Sequence, residues 1–150
     1  VPKFSLPDDA AVQPTMDDVL SPQLQQNLAV ILEMSPLNHA LLDNMRKEMR
    51  GRGINWLLDL YLRELPNYLN EIWGALEADS GEQLYLAAHK FKGGSSNLGA
   101  QQVVELCKLF EQSAKQTHLK TAKHLLPTLE AVIVQLRTEI MKAQQNHEDE

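Results

Sequence analysis

The chain is 150 residues long, with 20 acidic and 14 basic side chains and a net charge of −6. A domain of this size typically buries about 68–70% of its unfolded surface, so it needs neither disulfide staples nor metals for stability. The acidic excess sits at the two ends: Asp8, Asp9, Asp17 and Asp18 against Lys3, and then Glu148, Asp149 and Glu150. Residues 22–147 are balanced, which argues against nucleic acid as the main partner, because tracking phosphates needs a basic excess. One cysteine, Cys107, excludes an internal disulfide framework and a cysteine-based zinc site, and suggests a reducing compartment. No apolar run approaches the roughly 20 residues of a membrane span, and the first residues do not pattern as a signal peptide. The expectation is a cytoplasmic domain without direct membrane contact.

Residues 1–20 hold Pro2, Pro7 and Pro14, four aspartates and no sustained apolar period, and read as a linker or flexible N-terminal arm. Ser21-Pro22 is an N-cap followed by Pro at N1, and Leu24, Leu28, Ile31 and Leu32 carry a first helix. Ser35-Pro36 repeats that start signal, with Leu37, Leu41, Leu42 and Met45 running to about Arg50. Gly51-Arg52-Gly53 breaks the pattern. A long helix follows from about Ile54 to Ala78, its leucines at 3-and-4 spacing and Pro66 inside it as an expected kink. Asp79-Ser80-Gly81 is a turn. Further helices run from about Glu82 to Ser96, from about Ala100 to Thr117, and from about Leu119 to Lys142, with Asn97-Leu98-Gly99 closing the first of these three. Short connections join antiparallel neighbours. The predicted fold is all-α: an antiparallel up-down four-helix bundle over residues 21–144 with one or two additional N-terminal helices, followed by a disordered acidic tail at 145–150.

The chemistry concentrates in Ala88-His89-Lys90-Phe91-Lys92-Gly93-Gly94-Ser95-Ser96-Asn97-Leu98-Gly99-Ala100. At 100° per residue, Leu84, Ala88, Phe91 and Ser95 fall within about 40° of one direction, the core face. His89 lies at about 140° from Leu84 and Gly93 at about 180°, with Lys92 at about 80° and Leu86 at about 200°. The histidine therefore faces outward. Each glycine inside a helix costs about 0.8–1.0 kcal/mol relative to alanine. Close packing against a neighbouring helix accounts for Gly94, whereas Gly93 faces outward and clears a path to His89. On the following helix, Glu111 sits at the edge of the stripe Val103, Leu106, Cys107 and Phe110, and antiparallel pairing brings it level with His89. A carboxylate on Nδ1 fixes the tautomer and leaves Nε2 as an outward nucleophile, while Lys92 offers positive charge to an arriving anion.

This segment resembles the histidine-containing phosphotransfer (HPt) family, whose motif is Ala-His, any residue, an apolar residue, Lys-Gly, small residues, then Leu-Gly-Ala or similar. Leu62-Arg63-Glu64-Leu65-Pro66 upstream and Leu106-Cys107 with Phe110-Glu111 downstream extend the resemblance over about residues 37–142. The resemblance implies a bundle whose histidine takes a phosphoryl group from a receiver-domain aspartate and passes it to another. On that basis His89 matches the phosphoacceptor, Lys92 the lysine that helps hold the phosphoryl group, and Glu111 the polar residue bonded to the histidine. Gly93 matches the glycine that lets a receiver approach. Phe91 stands where Leu is commoner. Leu86, Lys90, Gly93 and Ser96 form the expected docking surface for receiver domains of response regulators or of a hybrid kinase. No cofactor is expected on this chain, Mg²⁺ being supplied by the receiver. With no nucleotide-binding motif, no autonomous kinase activity is expected. Residues 1–20 fit a tether from an upstream module, the chain then being the C-terminal module of a hybrid sensor histidine kinase, held to the cytoplasmic side of the membrane through its parent. A free-standing shuttle is the other arrangement, and a monomer is the expected state.

Two alternatives stay open at this level. One is a domain phosphorylated directly by a chemotaxis-type histidine kinase; the other is a helical adaptor that only docks a partner, which gives Gly93 no purpose. His39, His118, His124 and His147 show no i,i+4 pairing and no nearby cysteine, so no metal site is expected. Cys107 reads as a small core residue, and Trp56 and Trp73 as fillers of the seams between helices.

Overall fold

The computed structural model describes residues 20–49 and 52–145. The proposed arm at 1–20, apart from Leu20, and the proposed tail at 145–150, apart from Gln145, lie outside the described residues. Among the described residues there are six helices: α1 (Pro22–Glu33), α2 (His39–Glu48), α3 (Arg52–Glu77), α4 (Gly81–Ser96), α5 (Gln101–Lys115) and α6 (Leu119–Gln145). No helix among them is long and apolar enough to cross a membrane.

Helices α3 to α6 form a closed ring of neighbours, α3 on α4, α4 on α5, α5 on α6 and α6 back on α3, while α1 packs on α5 and α2 on α3. This is the up-down bundle with two additional N-terminal helices. Its core is one cluster, in which Leu58, Leu65, Ile72, Leu84, Phe91, Leu106, Phe110, Leu125 and Leu136 are fully buried. Fully burying such side chains stabilises by about 1.5–3 kcal/mol each, which explains why the 3-and-4 spacing translates directly into helices. Leu20, placed at the end of the predicted arm, packs against this cluster, and α6 continues to Gln145 rather than stopping near Lys142. Both prolines inside helices are accommodated without ending them, Pro66 in α3 and Pro127 in α6.

Two expectations are corrected. The Ser35-Pro36 start signal does not open α2. Leu37 is instead inserted into the core, the Ser35 hydroxyl donates to the Leu37 carbonyl at 2.9 Å, and Asn38 caps the helix by accepting from the Leu41 amide at 3.1 Å. The Asn38 amide also donates to the Gly99 carbonyl at 2.8 Å, so the segment is anchored on the α4–α5 turn before any helix begins. Gly99 takes φ +75° there, in the left-handed region, where a side chain is disfavoured. The second correction concerns Trp56, which does not fill a seam: it is 60% exposed. Ile54 and Leu58 on either side of it are fully buried, and two residues beyond Ile54 is a rotation of about 200°. Trp73 does pack against the core.

Polar ties fasten the extra helices. The buried Arg46 on α2 donates from Nη2 to Asn55 Oδ1 and to the Ala143 carbonyl, both at 3.1 Å. Gln102 on α5 donates to the Ile31 carbonyl at 3.1 Å, holding the end of α1.

Candidate functional site

α4 starts at a side-chain cap, the Ser80 hydroxyl accepting from the Gln83 amide at 3.1 Å, and runs unbroken through both glycines to Ser96. Its inner face is fixed by Leu84, Ala88, Phe91 and Ser95, all fully buried. Phe91 stacks on Tyr68 of α3, ring centroids 4.8 Å apart and planes 11° from parallel. Ser95 meets the Tyr61 hydroxyl at 2.7 Å, so both buried polar groups are satisfied, and burial pushes the Tyr61 phenol well above its ordinary value. With that face anchored, helical geometry turns His89 outward, its side chain 60% exposed.

The antiparallel α5 supplies the partner. His89 Nδ1 lies 2.8 Å from Glu111 Oε2, and Lys92 Nζ donates to Glu111 Oε1 at 2.7 Å. The Glu111 side chain is only 9% exposed, sitting where the two helices meet. Burial pushes its carboxyl up, but the hydrogen bonds from Lys92 and His89, with the charges behind them, bring it net below the usual carboxylate value. The hydrogen bond to Glu111 raises the Lys92 ammonium, with its partial burial opposing. An ionised carboxylate can only accept, so the proton of a neutral imidazole resides on Nδ1 and the Nε2 lone pair is presented to solvent. Nearby, burial foremost pushes the Cys107 thiol well above its ordinary value, in keeping with a core residue.

The structure thus brings His89, Lys92 and Glu111 into one hydrogen-bonded group. Leu86, 59% exposed, and Gly93 lie on the same outward face; a Cβ at Gly93 would meet nothing within 4 Å. Lys90 is on the α3 side and pairs with Glu71 at 2.9 Å. The Ser96 hydroxyl donates to the Gly93 carbonyl at 3.1 Å, which places it at the end of the strip. Two features went unforeseen. Lys92 is engaged by Glu111 rather than free for an anion, which follows from Lys92 and His89 being i,i+3 neighbours reaching the same carboxylate. Tyr85 stacks on His89, a contact that i,i+4 spacing could have signalled. Among the described residues no group of three or more His, Cys, Asp or Glu could hold a metal ion; His39 instead meets Glu139 at 3.3 Å. His147 lies outside the described residues.

The sequence model of the Hpt domain family matches residues 57–145. The crystal structure of histidine-containing phosphotransfer protein B (HptB) from Pseudomonas aeruginosa PAO1 superposes with a TM-score of 0.70 at 29% identity, covering 76% of this chain and 98% of that one. Among curated proteins no relative matches the chain.

Proposed function

The chain belongs to the Hpt domain family and is a histidine phosphotransfer protein of a phosphorelay, and from that premise we propose that His89 is its phosphoacceptor. The observation that carries this is the contact at 2.8 Å between Nδ1 and the Glu111 carboxylate, which leaves Nε2 unprotonated on an exposed helix face. In the proposed step, the Nε2 lone pair attacks the phosphorus of a receiver's aspartyl phosphate. The N–P bond forms as the P–O bond to the aspartate breaks, and the aspartate leaves as a carboxylate. The imidazole keeps its Nδ1 proton and becomes cationic, and Glu111 is placed to stabilise that charge. Return of the phosphoryl group to another receiver runs the same step backwards.

Lys92 is the cation nearest the arriving group. Its exchange of Glu111 Oε1 for a phosphoryl oxygen keeps it paired in both states, while Glu111 stays on Nδ1. Gly93 and Leu86 lie where a receiver must sit, Gly93 leaving the backbone bare and Leu86 offering an apolar contact; Lys90 and Ser96 form the rim. Catalysis of this kind is positioning plus charge stabilisation, and we assign the Mg²⁺ it needs to the receiver.

The test mixes the full chain, and separately His89→Gln, with a panel of receiver domains charged by acetyl phosphate, and follows acid-labile phosphate by gel and mass spectrometry. Label is expected on the wild type and absent from the variant. No label on the folded wild type from any receiver overturns the proposal. Labelling of the folded wild type by ATP plus a chemotaxis-type kinase domain, with none from any receiver, would instead favour direct phosphorylation by a kinase.

A further inference from the structure

One hydrogen bond holds one atom of the His89 ring and leaves the imidazole able to pivot about that bond. In-line attack depends on the direction of Nε2, and small misplacements of a reacting group are expensive in rate. A second constraint on the ring plane is therefore of consequence, and the structure contains one. The Tyr85 ring, one turn earlier on α4, lies with its centroid 5.7 Å from that of His89 and the two planes 13° apart. Lys115 of α5 sits over the Tyr85 ring, Nζ 5.2 Å from its centroid.

These contacts share a register. α4 and α5 are antiparallel, so Tyr85 faces Lys115 just as His89 faces Glu111, and each pair is spaced i,i+4 on its own helix. Two successive turns of α5 thus act on two successive turns of α4, one holding an edge of the imidazole and the other the aromatic ring on which it stacks. Leu84, Ala88 and Phe91 fill the inner face, and Tyr85, half-buried, packs against the edge of that core with its ring turned to His89.

We propose that Tyr85, clamped by Lys115, is a positioning residue that sets the plane of the His89 ring and so aims Nε2 at an incoming phosphoryl group. This rests on the reading of His89 as phosphoacceptor. The offset stack constrains the ring plane while the His89 side chain stays 60% exposed. Tyr85 supplies no proton and touches no reacting atom, so its ring and not its hydroxyl matters.

The experiment uses the full chain with an acetyl phosphate-charged receiver domain, comparing wild type, Tyr85→Phe, Tyr85→Leu and Lys115→Gln under single-turnover conditions. Tyr85→Leu is expected to lower the maximal transfer rate about tenfold, by loosening the ring's aim, with the half-saturating receiver concentration unchanged. Tyr85→Phe keeps the stack and is expected to transfer at close to the wild-type rate, with Lys115→Gln between the two. In proton NMR, the ring-current shift on the His89 carbon-bound protons disappears in Tyr85→Leu and persists in Tyr85→Phe, while circular dichroism stays helical for both. A wild-type maximal rate in Tyr85→Leu overturns the proposal, as does a change confined to half-saturation, which would make Tyr85 a docking contact. In either case, His89→Gln remaining unlabelled leaves the phosphoacceptor reading standing; an unlabelled wild type removes both.

Discussion

Gly93 and Gly94 are neighbours on one helix, and the space left by their missing side chains has different occupants. A Cβ on Gly94 would come within 2.5 Å of the Tyr68 hydroxyl, whereas one on Gly93 would touch nothing within 4 Å. The same division separates Phe91, fully buried and stacked on Tyr68, from His89, two residues earlier and exposed. On the inner face of α4 each residue type follows from packing: remove the neighbour and its reason goes too. On the outer face the fold supplies no such reason. Gly93 lowers helix stability without relieving any clash, and the Nδ1 edge of His89 is held by a carboxylate buried where α4 and α5 meet. Such features become intelligible only through something that arrives from outside.

That contrast can be broken at either face. The largest effect belongs to Phe91→Ala, which opens a cavity in the seam of α3 and α4 and should cost about 3–5 kcal/mol in urea unfolding. His89→Ala in the same assay should stay within about 0.5 kcal/mol of wild type, as exposed substitutions usually do. A comparable loss at His89 would mean that the outer face is structural after all. Gly94→Ala comes next. Helix propensity favours the change by about 0.8–1.0 kcal/mol, but overpacking typically costs about 1–3 kcal/mol, and Tyr68 cannot swing aside without unstacking from Phe91. A net loss of about 1 kcal/mol is expected, largely recovered on adding Tyr68→Phe, which deletes the nearest atom; no recovery would show that the crowding is elsewhere. Gly93→Ala should have the opposite sign, gaining about 0.8–1.0 kcal/mol and a few degrees in Tm while slowing transfer from a charged receiver. A variant that is both more stable and equally fast would remove the case for an approach path at Gly93.

How far this division was legible beforehand depended on the range of the interaction. The burial of Leu84, Ala88, Phe91 and Ser95, and the outward turn of His89, follow from phase along a single helix. The approach of Glu111 to His89 needs only a short turn and antiparallel packing. The exposure of Trp56 follows from the same phase argument, its place about 200° around α3 from the buried Ile54 outweighing its apolar bulk. Asn38 as the α2 cap was not readable locally: Ser35-Pro36 is the stronger start signal, and it loses because Leu37 is drawn into the core and the Asn38 amide bonds the distant Gly99 carbonyl. Arg46 is buried on α2 against Asn55 and the Ala143 carbonyl, a site assembled from three helices, and no pattern within ten residues announces it. The Lys92–Glu111 bond falls between these cases: helix phase and antiparallel pairing place both residues beside His89, but only the packed structure shows them bonded to each other.

The smallest expected effect tests that last bond. Glu111 titrates below its ordinary value of 4.5 because Lys92 and His89 outweigh its burial. A carboxyl held lower in the folded state stabilises the fold above its unfolded value, and that contribution is lost as pH falls through the folded one. Lys92 is raised above its ordinary 10.5, chiefly by its hydrogen bond to Glu111, so its contribution is complete below that value and lost as pH rises through the raised one. The pair is therefore intact across the whole neutral range, and wild type and Glu111→Gln, distinct there, converge as the pH falls into acid. Because the pair is partly open to solvent, the difference in unfolding free energy should be no more than about 1 kcal/mol at neutral pH, shrinking as the pH drops below 4.5. A difference that stays constant into acid would mean that Glu111 does not feel Lys92 or His89 in solution. At neutral pH the same variant should transfer more slowly, because an amide can donate as well as accept and no longer obliges Nδ1 to carry the proton. Loss of rate together with a small, pH-dependent loss of stability would show that this carboxylate's main service is to orient the imidazole on the outer face rather than to hold the two helices together.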